Sequence, residues 1–246
     1  MADWNDPQST RNNWGTARIN GEVMGNVSTD QGLRKYMLSI YNYMASGVLL
    51  SGVVALLFAS SGLAEAVFTT PLRWLFALAP LGFVMAMSFG LNRMQTSTLQ
   101  MLFWGFSVAM GLSLASIFFV YTGASIALTF FATAGAFAGL SLYGYTTKRN
   151  LSAMGSFMTM GVIGILIAML LNLWLQSSGL ALAISILGVI IFAGLTAWDT
   201  QRLRETYYHV AGTDMVGKVV IMGALSLYLD FINMFQFLLS LIGDRR

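Results

Sequence analysis

The stretch SLYLDFINMFQFLL, residues 226–239, sets one carboxylate, Asp230, inside a segment otherwise suited to lipid. From Ser226, Asp230 and Asn233 follow at i+4 and i+7, so on a helix the three form one polar stripe that Phe237 extends at i+11. Leu225, Leu229, Ile232 and Phe235 lie elsewhere on the same helix. A charged aspartate at a bilayer centre costs about 2.5–3.5 kcal/mol on insertion scales, so Asp230 is expected to face protein or water and to have a partner. That makes it a functional candidate. The alternative is an aspartate kept only to hydrogen-bond neighbouring helices, yet such bonds average about 0.6 kcal/mol and recover little of the penalty.

Two other charges approach the apolar segments: Asp199 in AWDTQRLRE and Arg93 in FGLNRMQTS. Asp199 is open to two readings, a local pair with Arg202 three residues on or a partner for Asp230. Arg93 likewise reads either as an anchor at a helix end or as a cation that closes on one of the acids. In the joined reading Asp199 and Asp230 approach across the bundle and share a proton, because two close carboxylates cannot easily both ionise. An arginine closing on one of them would hold it ionised and plug the mouth of a path. Opened, the pair would offer hard oxygen ligands to a transient cation such as Ca²⁺.

The elements that must position these residues follow from composition. Charged residues make up 9% of the 246 and hydrophobic ones 57%, against about a quarter charged in ordinary soluble domains. The chain reads as an all-α integral membrane protein whose fold class is a seven-transmembrane-helix bundle. The seven apolar segments are approximately 37–60, 72–91, 99–121, 124–145, 154–175, 180–200 and 218–242, each able to cross about 30 Å of hydrocarbon. Residues 1–36 are polar and predict a mobile cytoplasmic tail, and 37–243 form the transmembrane domain. With the N-terminus inside, all Lys and Arg residues except Arg73, Arg245 and Arg246 fall on the cytoplasmic side. A re-entrant last segment would bring Arg245 and Arg246 inside as well; seven full crossings are nonetheless expected.

Glycines at 105 and 111, 135 and 139, and 188 and 194 read as places where helix backbones approach closely. Cysteine is absent, which excludes disulfides and thiolate chemistry. His209, the only histidine, is expected in an exposed 201–217 loop and cannot build a multi-histidine metal site or an intramembrane base. No Ser–His–Asp constellation, buried lysine or phosphate loop is present, so neither an enzyme nor a resident cofactor is expected. No basic run or motif supports a nucleic-acid partner. Phe118, Phe119, Tyr121, Phe130 and Phe131 read as interface anchors or packing.

Four stretches, SLYLDFINMFQFLL, YTGASIALTFF, LYGYTTKRNLSAMGS and AWDTQRL, resemble the Bax inhibitor family in its bacterial branch, over about residues 35–243. The resemblance implies a bundle with a central last helix and a pH-dependent Ca²⁺ leak in a bacterial inner membrane. It implies Asp199 and Asp230 as the proton-sensing pair and places a latching arginine most naturally on Arg93, where the local match is weaker. Ser226 and Asn233 are expected as supporting polar positions. The short GDRR ending departs from the lysine-rich tail of some eukaryotic relatives. Two alternatives stand beside the channel: a protein that binds a membrane-anchored AAA protease, as the resemblance also allows, and a proton-coupled transporter.

Overall fold

The computed structural model describes residues 31–246, with the backbone of the first helix traced back to Asn12. Among the described residues nine helices follow: α1 Asn12–Ser60, α2 Leu63–Phe68, α3 Leu72–Gly90, α4 Thr96–Leu114, α5 Ile117–Val120, α6 Gly123–Thr146, α7 Ser152–Leu175, α8 Ser178–Val210 and α9 Val216–Ile242. Seven stretches are long and apolar enough to span a membrane, with α4 and α5 together forming the third. Their apolar residues run all round the helix because one side meets protein and the other meets lipid. Phe89 and Trp174, 81% and 92% exposed, would be untenable in water at this density of neighbouring apolar side chains. In a bilayer they are ordinary.

α9 is the centre. It packs against α1, α4, α6 and α8, and half of its apolar window is buried, against 11% for α3 and α7. α3 leans on α4 and α7 on α8 at the periphery. Tyr228 of α9 is fully buried between Phe103 and Phe106 of α4, with the Phe106 ring 4.9 Å away in an edge contact. Its hydroxyl lies 2.6 Å from Ser51 Oγ of α1. Ser51 also donates to the carbonyl of Ser107 on α4 at 2.6 Å, and since a hydroxyl has one proton, Tyr228 is the donor between the two side chains. One serine thus joins α1, α4 and α9.

The last helix crosses completely. It is 27 residues long, about 40 Å at 1.5 Å per residue. Its trailing residues meet the junction between α5 and α6: Thr122 N–H donates to the Asp244 carbonyl at 3.1 Å, and Arg246 N–H to Val120 at 3.0 Å. Ser125 and Asp244 add a reciprocal side-chain contact. Alternation of seven crossings puts that junction at the end opposite the α8–α9 turn, so the re-entrant alternative does not hold.

Several boundaries differ from expectation. α8 runs 33 residues to Val210, ten beyond the expected end at 200, so His209 lies in its exposed last turn rather than in a 201–217 loop. QRLRETYYHV has no helix breaker, and the chain turns only at Gly212, whose φ of +79° suits a residue without Cβ. Residues 31–36 belong to α1, and Leu33 and Tyr36 are buried. The mobility expected for the rest of the 1–36 tail lies outside the described residues. Gly135 and Gly139 do not mediate packing, since nothing lies within 4 Å of where their Cβ atoms would be. α6 packs instead through Thr129, Thr133, Phe137, Ser141 and Gly144, and a Cβ on Gly144 would overlap the carbonyl of Ala197 on α8. Gly105, Gly111, Gly188 and Gly194 do sit against neighbouring helices. Of the aromatic group near the outer ends, Phe130 packs on Phe231 while Phe131 faces outward.

Candidate functional site

The α8–α9 hairpin sets the depth of the two acids. Asp199 lies eleven residues before the end of α8 and Asp230 fourteen after the start of α9, about 17 and 21 Å from the connecting turn at the helical rise. The helices pack along their length, and both aspartates are only 5% exposed. Both acids are therefore held inside the bundle, on two helices that pack together.

Arg202, not Arg93, pairs with Asp199. Its Nη2 lies 3.0 Å from Asp199 Oδ1, the one salt bridge among the described residues. The same nitrogen donates to Ser226 Oγ at 3.3 Å, which ties the arginine of α8 to the polar stripe of α9. Its guanidinium carbon stacks 4.6 Å over the Trp198 ring, where cation–π attraction adds to the anchoring. Arg93 is exposed on the turn between α3 and α4, and the structure pairs it with neither aspartate. Lys218 donates to the Leu91 carbonyl of that turn at 3.2 Å. Asp230 Oδ2 is buried with no hydrogen-bond partner. Such an atom in a low-dielectric interior demands a proton or a cation.

Asn233 points its amide back to the Leu229 carbonyl at 2.8 Å. It lines, with Asn172, Ser185, Gln236 and Ser240, a cavity of about 450 Å³ between α7, α8 and α9 on the far side of Asp230 from the α8–α9 turn. No group of three metal-ligating side chains occurs among the described residues. Two carboxylates suit a cation in transit better than a resident ion, which takes six to eight oxygens in the case of Ca²⁺.

The sequence model of a family described as "Inhibitor of apoptosis-promoting Bax1" matches residues 33–246. The chain belongs to the Bax inhibitor family. Its relatives within reach include an uncharacterized protein of Rickettsia prowazekii, 47% identical over 90% of this chain and 94% of that one. An uncharacterized protein of Caulobacter vibrioides is 44% identical over 95% of this chain and 98% of its own. The inner membrane protein YbhL of Escherichia coli K12 is 45% identical over 89% of this chain and 96% of its own.

In this Bax inhibitor family member the WDTQ element resolves into four separate contacts. Trp198 fills the space above Gly155 of α7 and carries Arg202. Asp199 faces the arginine. Thr200 donates to Ser141 of α6 at 3.4 Å. Gln201 clamps the 147–151 loop, accepting from Leu151 N–H and donating to the Arg149 carbonyl, both at 2.8 Å. In the sequence Arg202 reads only as the local partner of Asp199, and neither Gln201 nor Ser141 stands out. The i,i+3 spacing of Asp199 and Arg202 was the available signal, and nothing in the sequence tied Arg202 to Ser226.

Proposed function

We propose that this member of the Bax inhibitor family is a proton-sensitive cation leak channel of the bacterial inner membrane, with Ca²⁺ as the permeant ion and the N-terminus in the cytoplasm. The single observation behind this reading is the buried Asp230 Oδ2 without a hydrogen-bond partner, on the helix that packs against the one carrying Asp199. Adjacent carboxylates held out of water exchange readily between a proton-sharing state and an ionised state that needs a cation. Arg202 holds Asp199 in the closed arrangement, and its release from the pair exposes oxygen ligands to a passing ion. Arg93 stands on the same end of the bundle and joins the gate only if the α3–α4 turn moves inward.

The test is flux. Purified protein reconstituted into liposomes with an enclosed Ca²⁺ indicator should admit Ca²⁺ at a rate that depends on pH, and Asp199→Asn and Asp230→Asn should each flatten that dependence. An unaltered pH profile in both variants removes the gating assignment. Absence of flux together with co-purification of a membrane-anchored AAA protease supports the interaction reading instead. Solute uptake driven by a proton gradient supports the transporter.

A further inference from the structure

α1 and α6 both pack on α9. Between them lies a cavity of about 520 Å³, lined almost wholly by apolar atoms. Arg34 and Tyr145 line it near the ends of their helices, and Met37, Phe137 and Leu142 line it further along. Arg34 is the fourth residue of the spanning part of α1, and Tyr145 is the last but one of α6, so both sit at the level where a helix leaves hydrocarbon. Phe137 lies eight residues below Tyr145, about 12 Å deeper at the helical rise. The groove is thus a cationic entrance above an apolar slot.

What fills such a slot is constrained by chemistry. Water finds too few polar partners there to be held, and Leu38 and Leu142 of the lining are exposed on the outer surface of the bundle. Arg34, Lys35, Lys148, Arg149 and Arg204 gather at this end of the bundle, where Glu205 and Asp214 are the exposed carboxylates among the described residues. Arg204 donates to the Tyr145 carbonyl in the groove wall itself. Basic pockets between transmembrane helices are suited to anionic headgroups, and tyrosine at this level suits the interface.

We propose that the α1–α6 groove binds one anionic phospholipid, with its phosphate at Arg34 and one acyl chain along Met37, Leu142 and Phe137. This site is separate from the acid pair and stands independently of the channel reading. The full-length protein, purified in mild detergent, is offered equal amounts of phosphatidylglycerol and phosphatidylcholine, and retained lipid is counted by native mass spectrometry. One phosphatidylglycerol should be retained in preference to phosphatidylcholine by about fivefold, the worth of one interfacial cation. Arg34→Gln should abolish that preference, Arg34→Lys should keep most of it, and Ala138→Trp, which fills the groove, should lower retention of both lipids. Arg34 is exposed, so its variants test the headgroup arm even if Ala138→Trp fails to fold. Equal retention of the two lipids by the native protein overturns the proposal, as does an undiminished preference in Arg34→Gln. A co-purifying transmembrane polypeptide that Ala138→Trp displaces, with lipid retention unchanged, overturns it in favour of a protein partner.

Discussion

Arg202 Nη2 stands 3.0 Å from Asp199 Oδ1, one turn along α8, and reaches across to Ser226 of α9. A pair at i,i+3 on an exposed helix is worth only a few tenths of a kcal/mol. Here one partner is buried, so removing the cation leaves a carboxylate in a poorly solvated site, and the consequence is larger. The arginine is also held from outside the pair by the Trp198 ring. Arg202→Gln should therefore change the pH profile of Ca²⁺ entry into liposomes more than Arg93→Gln does. Equal effects would return the latch to Arg93.

Asp230 and Asp199 are expected to titrate as a unit, because both are buried on the packed helices α8 and α9 and neither is solvated. Asp230→Asn and Asp199→Asn should each leave the protein folded, since an amide of the same shape replaces a carboxylate that is expensive to bury. Flux against pH should flatten in both, and the double variant should resemble either single one rather than the sum of the two. A double variant with the summed effect means that the acids act separately.

The hydroxyl of Tyr228 and Ser51 Oγ, 2.6 Å apart, join the first and last crossings. Tyr228→Phe removes the donor without changing the ring packing on Phe103 and Phe106. The expected loss is about 0.6–1.7 kcal/mol, the range for hydrogen bonds between membrane helices. Reversible unfolding in mixed micelles measures it, and a cycle with Ser51→Ala assigns the loss to the pair.

Glycine substitution separates packing from composition. Gly144→Ala forces a methyl group into the Ala197 carbonyl and should cost about 1–3 kcal/mol through displacement of α6 from α8. Gly135→Ala meets nothing and should leave stability unchanged or raise it by up to about 1 kcal/mol through helix propensity. Thermal inactivation in detergent ranks the two, and a reversal of that order contradicts the assigned face of α6.

The native chain has no cysteine, so single introduced thiols report topology cleanly. Asp214→Cys, on the exposed α8–α9 turn, should react with a membrane-impermeant maleimide only from the cytoplasm. Ser61→Cys, exposed at the opposite end, should react only from outside. The opposite labelling pattern inverts the orientation.

The seven crossings were legible because an apolar run of some twenty residues has few other fates in a chain this poor in charge, and Asp230 announced itself as the lone carboxylate within one. The polar stripe through Ser226 and Asn233 also followed from spacing, although Asn233 turned out to bond its own helix. Beyond such local patterns the sequence said little. Gly135 and Gly139 carry the same spacing signal as packing glycines, yet which side of α6 meets protein depends on how the helix is rotated against α8 and α9, and that rotation is fixed by side chains far away in sequence. The extra turns of α8 past residue 200 were hidden because polar helix and polar loop share a composition. By itself, then, the sequence determined the membrane class, the number of crossings and the acids that lipid could not tolerate alone. The tertiary structure decided which cation answers Asp199, since the reach of Arg202 to Ser226 exists only once α8 lies against α9, leaving Arg93 outside on its turn.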